Sequence, residues 1–167
     1  MVDDNFESVP LSYLRADRSL FINTQYLLQL DDVADSDVRK GRHWFIDSVA
    51  YQPSTRLVFL CEFSFSKSMQ GMRNRLKSWA NVWNEIEIAI ARDSGISQIS
   101  CVMPWLFVPE ETIEKVVRIA SSEGFDGSGT FPAVRLTTLE MTLPWRYQFW
   151  RREGEAEKPA SIPAQMR

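Results

Sequence analysis

Two acidic residues carry the chemistry that this sequence offers. Glu62 lies in the middle of LVFLCEFSFSK, Leu57 to Lys67, one of the most apolar runs in the chain. Read as a strand, the run puts Leu57, Phe59, Cys61, Phe63 and Phe65 on one face and Val58, Leu60, Glu62, Ser64 and Ser66 on the other. The carboxylate then points toward a covered face, where a charge needs a partner, a cation or a proton. The preceding strand-like run, HWFIDSVAY, contains Asp47, and QPST follows with proline near the front of a turn. The midpoint between Asp47 and Glu62 falls between Ser54 and Thr55, inside that turn. In an antiparallel pair the two acids are therefore opposed, with Cβ atoms about 4.5–5.5 Å apart. Opposed carboxylates repel, and a divalent cation would reverse the sign of that argument. A slipped register is a second resolution of the conflict. A structural ion pair of Glu62 with Arg56, Arg73 or Lys67 is a third.

Other chemistries find less support. Cys61 and Cys101 both sit in apolar strand-like runs with no CxxC neighbour, so neither a zinc site nor a disulfide framework has enough ligands. His43, the only histidine, lacks the matching elements of a Ser-His or Cys-His system. Asp31, Asp32, Asp35 and Asp37 do not have the spacing or central glycine of a calcium loop, and DDVADSDVRKGR reads as a solvated connection. GFDGSGTFPA follows a helix, so it reads as a turn and not as a phosphate-binding loop. The formal net charge of -3 argues against a generally basic nucleic-acid coat. No run approaches the roughly 18 apolar residues that span a bilayer, and the acidic start MVDDNFESVP is no signal peptide. Both features predict a cytoplasmic protein without a membrane partner.

The elements that must position Asp47 and Glu62 follow from periodicity. Leu20, Phe21, Thr24, Leu27 and Leu28 recur at helical spacing, which predicts a helix over 19–30. From about Met69 to Arg92, Met72, Leu76, Trp79, Trp83, Ile86 and Ile90 make one apolar stripe, opposite Arg73, Asn74, Lys77, Asn81 and Asn84. On that stripe Trp79 and Trp83 are core residues, not stacking platforms. Gly95 closes the helix, a strand runs over 97–107, and Pro109 opens a second helix that stops at Gly124. Val134 to Leu143 reads as a late strand. PWRYQFWRR, Pro144 to Arg152, reads as an aromatic flap, with a nucleic-acid surface as the alternative. The prediction is an α/β (α+β) fold. Its central mixed β-sheet contains an antiparallel hairpin and a parallel βαβ crossover, flanked by helices. One domain spans 1–152, and 153–167 lacks apolar periodicity and reads as a disordered tail.

A strand with an aspartate, a turn, a strand with a glutamate, a long amphipathic helix, a strand and a helix: this order resembles the core of the PD-(D/E)XK nuclease superfamily over 44–124. The resemblance implies a restriction-endonuclease-like domain that cleaves phosphodiesters of nucleic acid, DNA foremost, with Mg or Mn. Asp47 in FID and Glu62 in EFS match the family's metal-binding acids, while Ser64 stands at the position of its lysine. Serine can hold a water but brings no charge. Lys67 and Lys77 are then the candidates for a migrated lysine, and Arg39, Lys40, Arg42 and Arg73 for contacts to phosphates. The missing lysine equally implies an alternative: a catalytically silent scaffold that binds nucleic acid or a protein partner, for example an inhibitor from a phage or mobile element. A homodimer is compatible with either.

Overall fold

The sheet grows outward from the hairpin that carries the two acids. The computed structural model of the protein describes residues 4–32 and 41–146. In chain order these form α1 (Asp4–Ala16), β1 (Phe21–Gln29), β2 (His43–Gln52), β3 (Leu57–Phe63), α2 (Gln70–Ser94) and β4 (Cys101–Val108). A 3-10 turn at Glu110–Thr112 leads into α3 (Ile113–Ser122), and β5 (Arg135–Thr138) is followed by a second 3-10 turn at Leu139–Thr142. The five strands lie in the order β1-β2-β3-β4-β5. β1, β2 and β3 form an antiparallel meander. β3, β4 and β5 are parallel, connected through α2 and α3. This is the mixed sheet flanked by helices that the sequence predicts.

Strand alternation sorts the side chains into two cores. Val58 and Leu60 of β3 and Val102, Leu106 and Val108 of β4 face the apolar stripe of α2 and the inner face of α3. Phe59, Cys61, Trp105 and Phe107 face the other way, against Tyr13 and Leu14 of α1. The stripe of α2 is buried as its spacing requires, including Trp79 and Trp83, which confirms both indoles as core residues. Gly95 ends α2 with φ 67, a left-handed position that costs glycine little.

Three boundaries differ from the expectation. The segment over 19–30 is strand, not helix, and its helical spacing has a physical origin. Leu20 and Ile22 pack on the α1 side, whereas Tyr26, Leu28 and Leu30 pack on the α2 side. The inward positions Leu20, Ile22, Thr24, Tyr26, Leu28 and Leu30 keep the period of two through that change of sides, and the helical spacing arises from the apolar residues on the outer positions, Phe21, which is 68% exposed, and Leu27. β4 begins at Cys101, later than the apolar run, and the late strand ends at Thr138, where Thr138 Oγ1 accepts from Met141 N and caps a 3-10 turn. The aromatic flap falls largely outside the described residues, as does the tail over 153–167. Within its described part, Trp145 is exposed.

The change of sides occurs at one place. Thr24 pairs with Ser48 and Tyr26 with Ile46, leaving Gln25 and Asp47 opposite each other but unpaired. Gln25 takes φ 50, the left-handed region. Below Asp47 the residues of β2 on the α2 side are Trp44 and Ile46; above it they are Val49 and Tyr51. A non-glycine residue held there costs about 1–2 kcal/mol. Gln25→Val, which adds a β-branch at this φ, is therefore expected to lower stability by about 1–2 kcal/mol. Gln25→Gly is expected to leave stability level or higher, both read from urea midpoints.

Candidate functional site

The break at Asp47 builds the site. β2 and β3 pair from Gln52↔Leu57 to Ser48↔Cys61, so the next opposed pair in that register is Asp47 and Glu62. Beyond it β2 turns away. Amide N–H groups alternate sides along a strand: Ser64 N donates to Phe107 O of β4, so Phe63 N points toward β2. With no strand there to receive it, Phe63 N donates to Asp47 Oδ2 at 2.7 Å. The aspartate side chain thus substitutes for the missing ladder carbonyl, which fixes its carboxylate beside Glu62.

Glu62 is 7% exposed, and its neighbours Val58 and Leu60 are buried on the same face. Burial raises its pKa to about 8, with the facing charge of Asp47 adding to the shift and Arg75 opposing it. Glu7 of α1 acts on Glu62 in the same direction as Asp47. Asp47 is also raised by burial, against the Phe63 N–H, Arg75 and a hydrogen bond from Glu62, all of which lower it. Burial and the facing carboxylate therefore favour a proton on Glu62, placed to hydrogen-bond Asp47. Each charge opposes ionisation of the other, and the Arg75 guanidinium offsets only part of that at Glu62.

Arg75 is the residue that sequence reasoning missed. Its Nε lies 3.4 Å from Glu62 Oε1, its Nη2 donates to Phe45 O at 3.2 Å, and its guanidinium carbon is 6.0 Å from the centre of the Trp79 ring. The contact to Glu62 has the distance of an ion pair without the alignment of a hydrogen bond, and Glu62 Oε1 is buried with no hydrogen-bond partner. The signal was present in the numbering: Arg75 precedes Leu76 and Trp79 of the buried stripe by one and four positions, so it flanks that stripe. Arg73 and Lys77, two positions to either side, are exposed. The partner of Glu62 is thus Arg75, and not Arg56, Arg73 or Lys67.

The remaining predicted residues divide. Ser64 is half-buried just past the end of β3, on the Glu62 face by alternation. Lys67 sits in the loop between β3 and α2, 80% exposed, in an ion pair with Glu111 at 3.0 Å. Lys77 is exposed on α2, two turns from the helix start. Arg42 is held between Asp31 at 2.9 Å and Glu85 at 2.6 Å. Arg39 and Lys40 lie outside the described residues. Asp47 and Glu62 are the predicted residues that the fold brings together.

The pair lies near the carboxyl ends of the parallel strands, where open α/β sheets bind ligands. Two carboxylates form a hard oxygen donor set of the kind that Mg and Mn accept. Glu62 Oε1, buried without a hydrogen bond, faces the Arg75 guanidinium, and a cation that replaced the proton would sit between the two carboxyls instead. Among the described residues no group of three or more His, Cys, Asp and Glu side chains converges, so waters, backbone or substrate oxygens must complete any coordination shell. No helix among the described residues is long and apolar enough to cross a membrane. No protein-family model, curated protein or solved structure matches this chain.

Proposed function

We propose that the protein is a metal-dependent phosphodiesterase of the PD-(D/E)XK type acting on nucleic acid, with Asp47 and Glu62 holding Mg or Mn. The observation that carries this reading is the pair itself: two carboxyls opposed on adjacent strands, Glu62 buried, with its Oε1 facing Arg75 at 3.4 Å without a hydrogen bond. Such an arrangement is a poor choice for stability alone and a good one for a divalent cation. When bound, the ion lowers the pKa of water and neutralises charge on the phosphoryl group. Arg75 supplies the fixed positive charge that Ser64 cannot. A guanidinium stays protonated at any working pH, so it stabilises charge and does not take a proton from water. With a cation held between them, the Asp47 and Glu62 carboxylates would be the groups able to accept that proton, and Ser64, on the Glu62 face, would offer a hydroxyl to the water. Lys67 is a second source of positive charge at this end of the sheet.

A second reading has its own support. Arg75 already partly neutralises the pair, and the lysine position holds serine, as a catalytically silent scaffold would. In that case the same face binds a nucleic acid or a protein partner without cleaving it. Labelled single- and double-stranded DNA and RNA, incubated with manganese and the parent or Asp47→Asn, separate the two readings. The phosphodiesterase reading expects cleavage of at least one substrate by the parent and none by the variant. Failure of the parent to cut any of them, or equal cutting by the variant, overturns it.

A further inference from the structure

Phe6 of α1 and Phe65, just past the end of β3, are 60% and 42% exposed, and their rings meet with centroids 5.7 Å apart at an interplanar angle of 53°. They lie on the α1 side of the sheet, yet neither belongs to the core around Tyr13, Phe59 and Phe107 on that side. Two large apolar rings left side by side at the surface mark a docking place. The chain itself arrives there. After β5, the 3-10 turn Leu139–Thr142 packs on α1, and Leu139 joins the core around Tyr13 and Leu14. The same turn is tied to the end of the sheet where Phe65 lies. Glu140 Oε2 accepts from Glu110 N at 2.9 Å, and the adjacent Glu111 pairs at 3.0 Å with Lys67, which follows Phe65 by two positions. Arg146 N donates to Leu143 O at 2.8 Å, so the described chain ends in a turn close behind that anchor. Residues 147–152, YQFWRR, come next, and such a segment reaches up to about 20 Å.

Composition selects this segment as the occupant. Tyr147, Phe149 and Trp150 offer rings to Phe6 and Phe65, and ring pairs of this kind attract beyond the area they bury. The charged groups tied to this corner are Glu7, Glu110, Glu111 and Glu140 against Lys67 and Lys115, and Lys67 is already held by Glu111. A rim with an excess of carboxylates opposes a phosphate backbone and complements Arg151 and Arg152. A segment attached so close by also competes at an effective concentration on the order of millimolar, which a separate partner must exceed. We infer that Tyr147–Trp150 folds back on α1 and covers the Phe6–Phe65 pair, a strap that closes this face of the sheet to other partners. The strap is independent of the carboxylate chemistry, because Glu62 shares the α2 side of the sheet with Val58 and Leu60.

A double-mutant cycle in the full chain tests the strap. Unfolding constants from urea midpoints are compared for the parent, Phe65→Ala, the joint change Phe149→Ala with Trp150→Ala, and all three substitutions together. The combined variant is expected to unfold about fivefold less readily than the product of the separate effects predicts. The same cycle with Phe21→Ala, at the opposite end of the sheet and 68% exposed, is expected to be multiplicative. Multiplicative effects in the Phe65 cycle, or equal coupling to Phe21, overturn the inference. Coupling that grows with protein concentration also overturns it, and assigns the rings to a second copy of the chain. In the unsubstituted protein, nuclear Overhauser contacts are expected between the Phe65 ring and the rings of Tyr147, Phe149 or Trp150. Their absence overturns the strap without recourse to any variant.

Discussion

Replacing Glu62 with glutamine is expected to stabilise the metal-free protein above about pH 8 and to leave its stability unchanged near pH 4. The folded protein holds a proton on Glu62 up to about pH 8, whereas the unfolded chain releases it near 4.5. Between those values the native state binds more protons than the unfolded state, so stability must fall as pH rises and then level off above 8. Each unit of difference corresponds to about 1.4 kcal/mol, which gives a total on the order of 3–5 kcal/mol. Glutamine keeps an N–H donor for Asp47 and has no proton to lose, so this slope should vanish from the variant. Denaturant midpoints at pH 4, 6, 8 and 9 check it. Parallel profiles for parent and variant would show that Glu62 ionises normally in the folded protein.

The second large effect belongs to Arg75. Arg75→Met keeps the stem that lies near Trp79 but removes the donor to Phe45 O and the charge facing both acids. Stability is expected to fall by about 2–3 kcal/mol near pH 8, because a buried acid pair then loses its cation. At pH 4, where Glu62 is protonated, the loss should be smaller, because what remains to be removed is the hydrogen bond to Phe45 O and the packing of the stem. If the phosphodiesterase reading holds, cleavage should fall by about a hundredfold. Arg75→Lys should recover most of the stability at pH 8 by restoring the charge, and less of the activity, since an ammonium cannot reach Phe45 O and Glu62 with a planar fork. A loss of stability equal at pH 4 and pH 8 would reduce Arg75 to a packing residue.

Much of this arrangement is legible in the sequence because it rests on local periodicity. The alternation of Leu57 to Phe63 assigns Glu62 to the α2 face, and symmetry about the turn gives the pairing register of β2 and β3. The stripe of α2 predicts its buried residues because one long helix packs on one sheet face. What failed to show was the change of sides at Gln25 and Asp47. It depends on two strands twisting together, whereas the apparent helical repeat in β1 came from the apolar outer residues Phe21 and Leu27. Arg75 was missed for a related reason. Spacing within the helix puts Arg75 beside the buried stripe, but which strand residue it meets depends on how α2 lies across the sheet. Arg42 could be read only as one of a basic group, since its partner Glu85 is remote in sequence and meets it through the fold.

The central claim is that Asp47 and Glu62 together hold a divalent cation in place of the proton on Glu62. The thermal midpoint at pH 8, with and without manganese, for the parent and Glu62→Gln in parallel, tests it most directly. At about a hundred times its dissociation constant, a ligand that binds only the folded state adds roughly 2.7 kcal/mol. For a chain of this size that moves the midpoint by about 5–10 °C. The account predicts such a rise in the parent and its absence in the variant. No rise in the parent, or an equal rise in both, would contradict it.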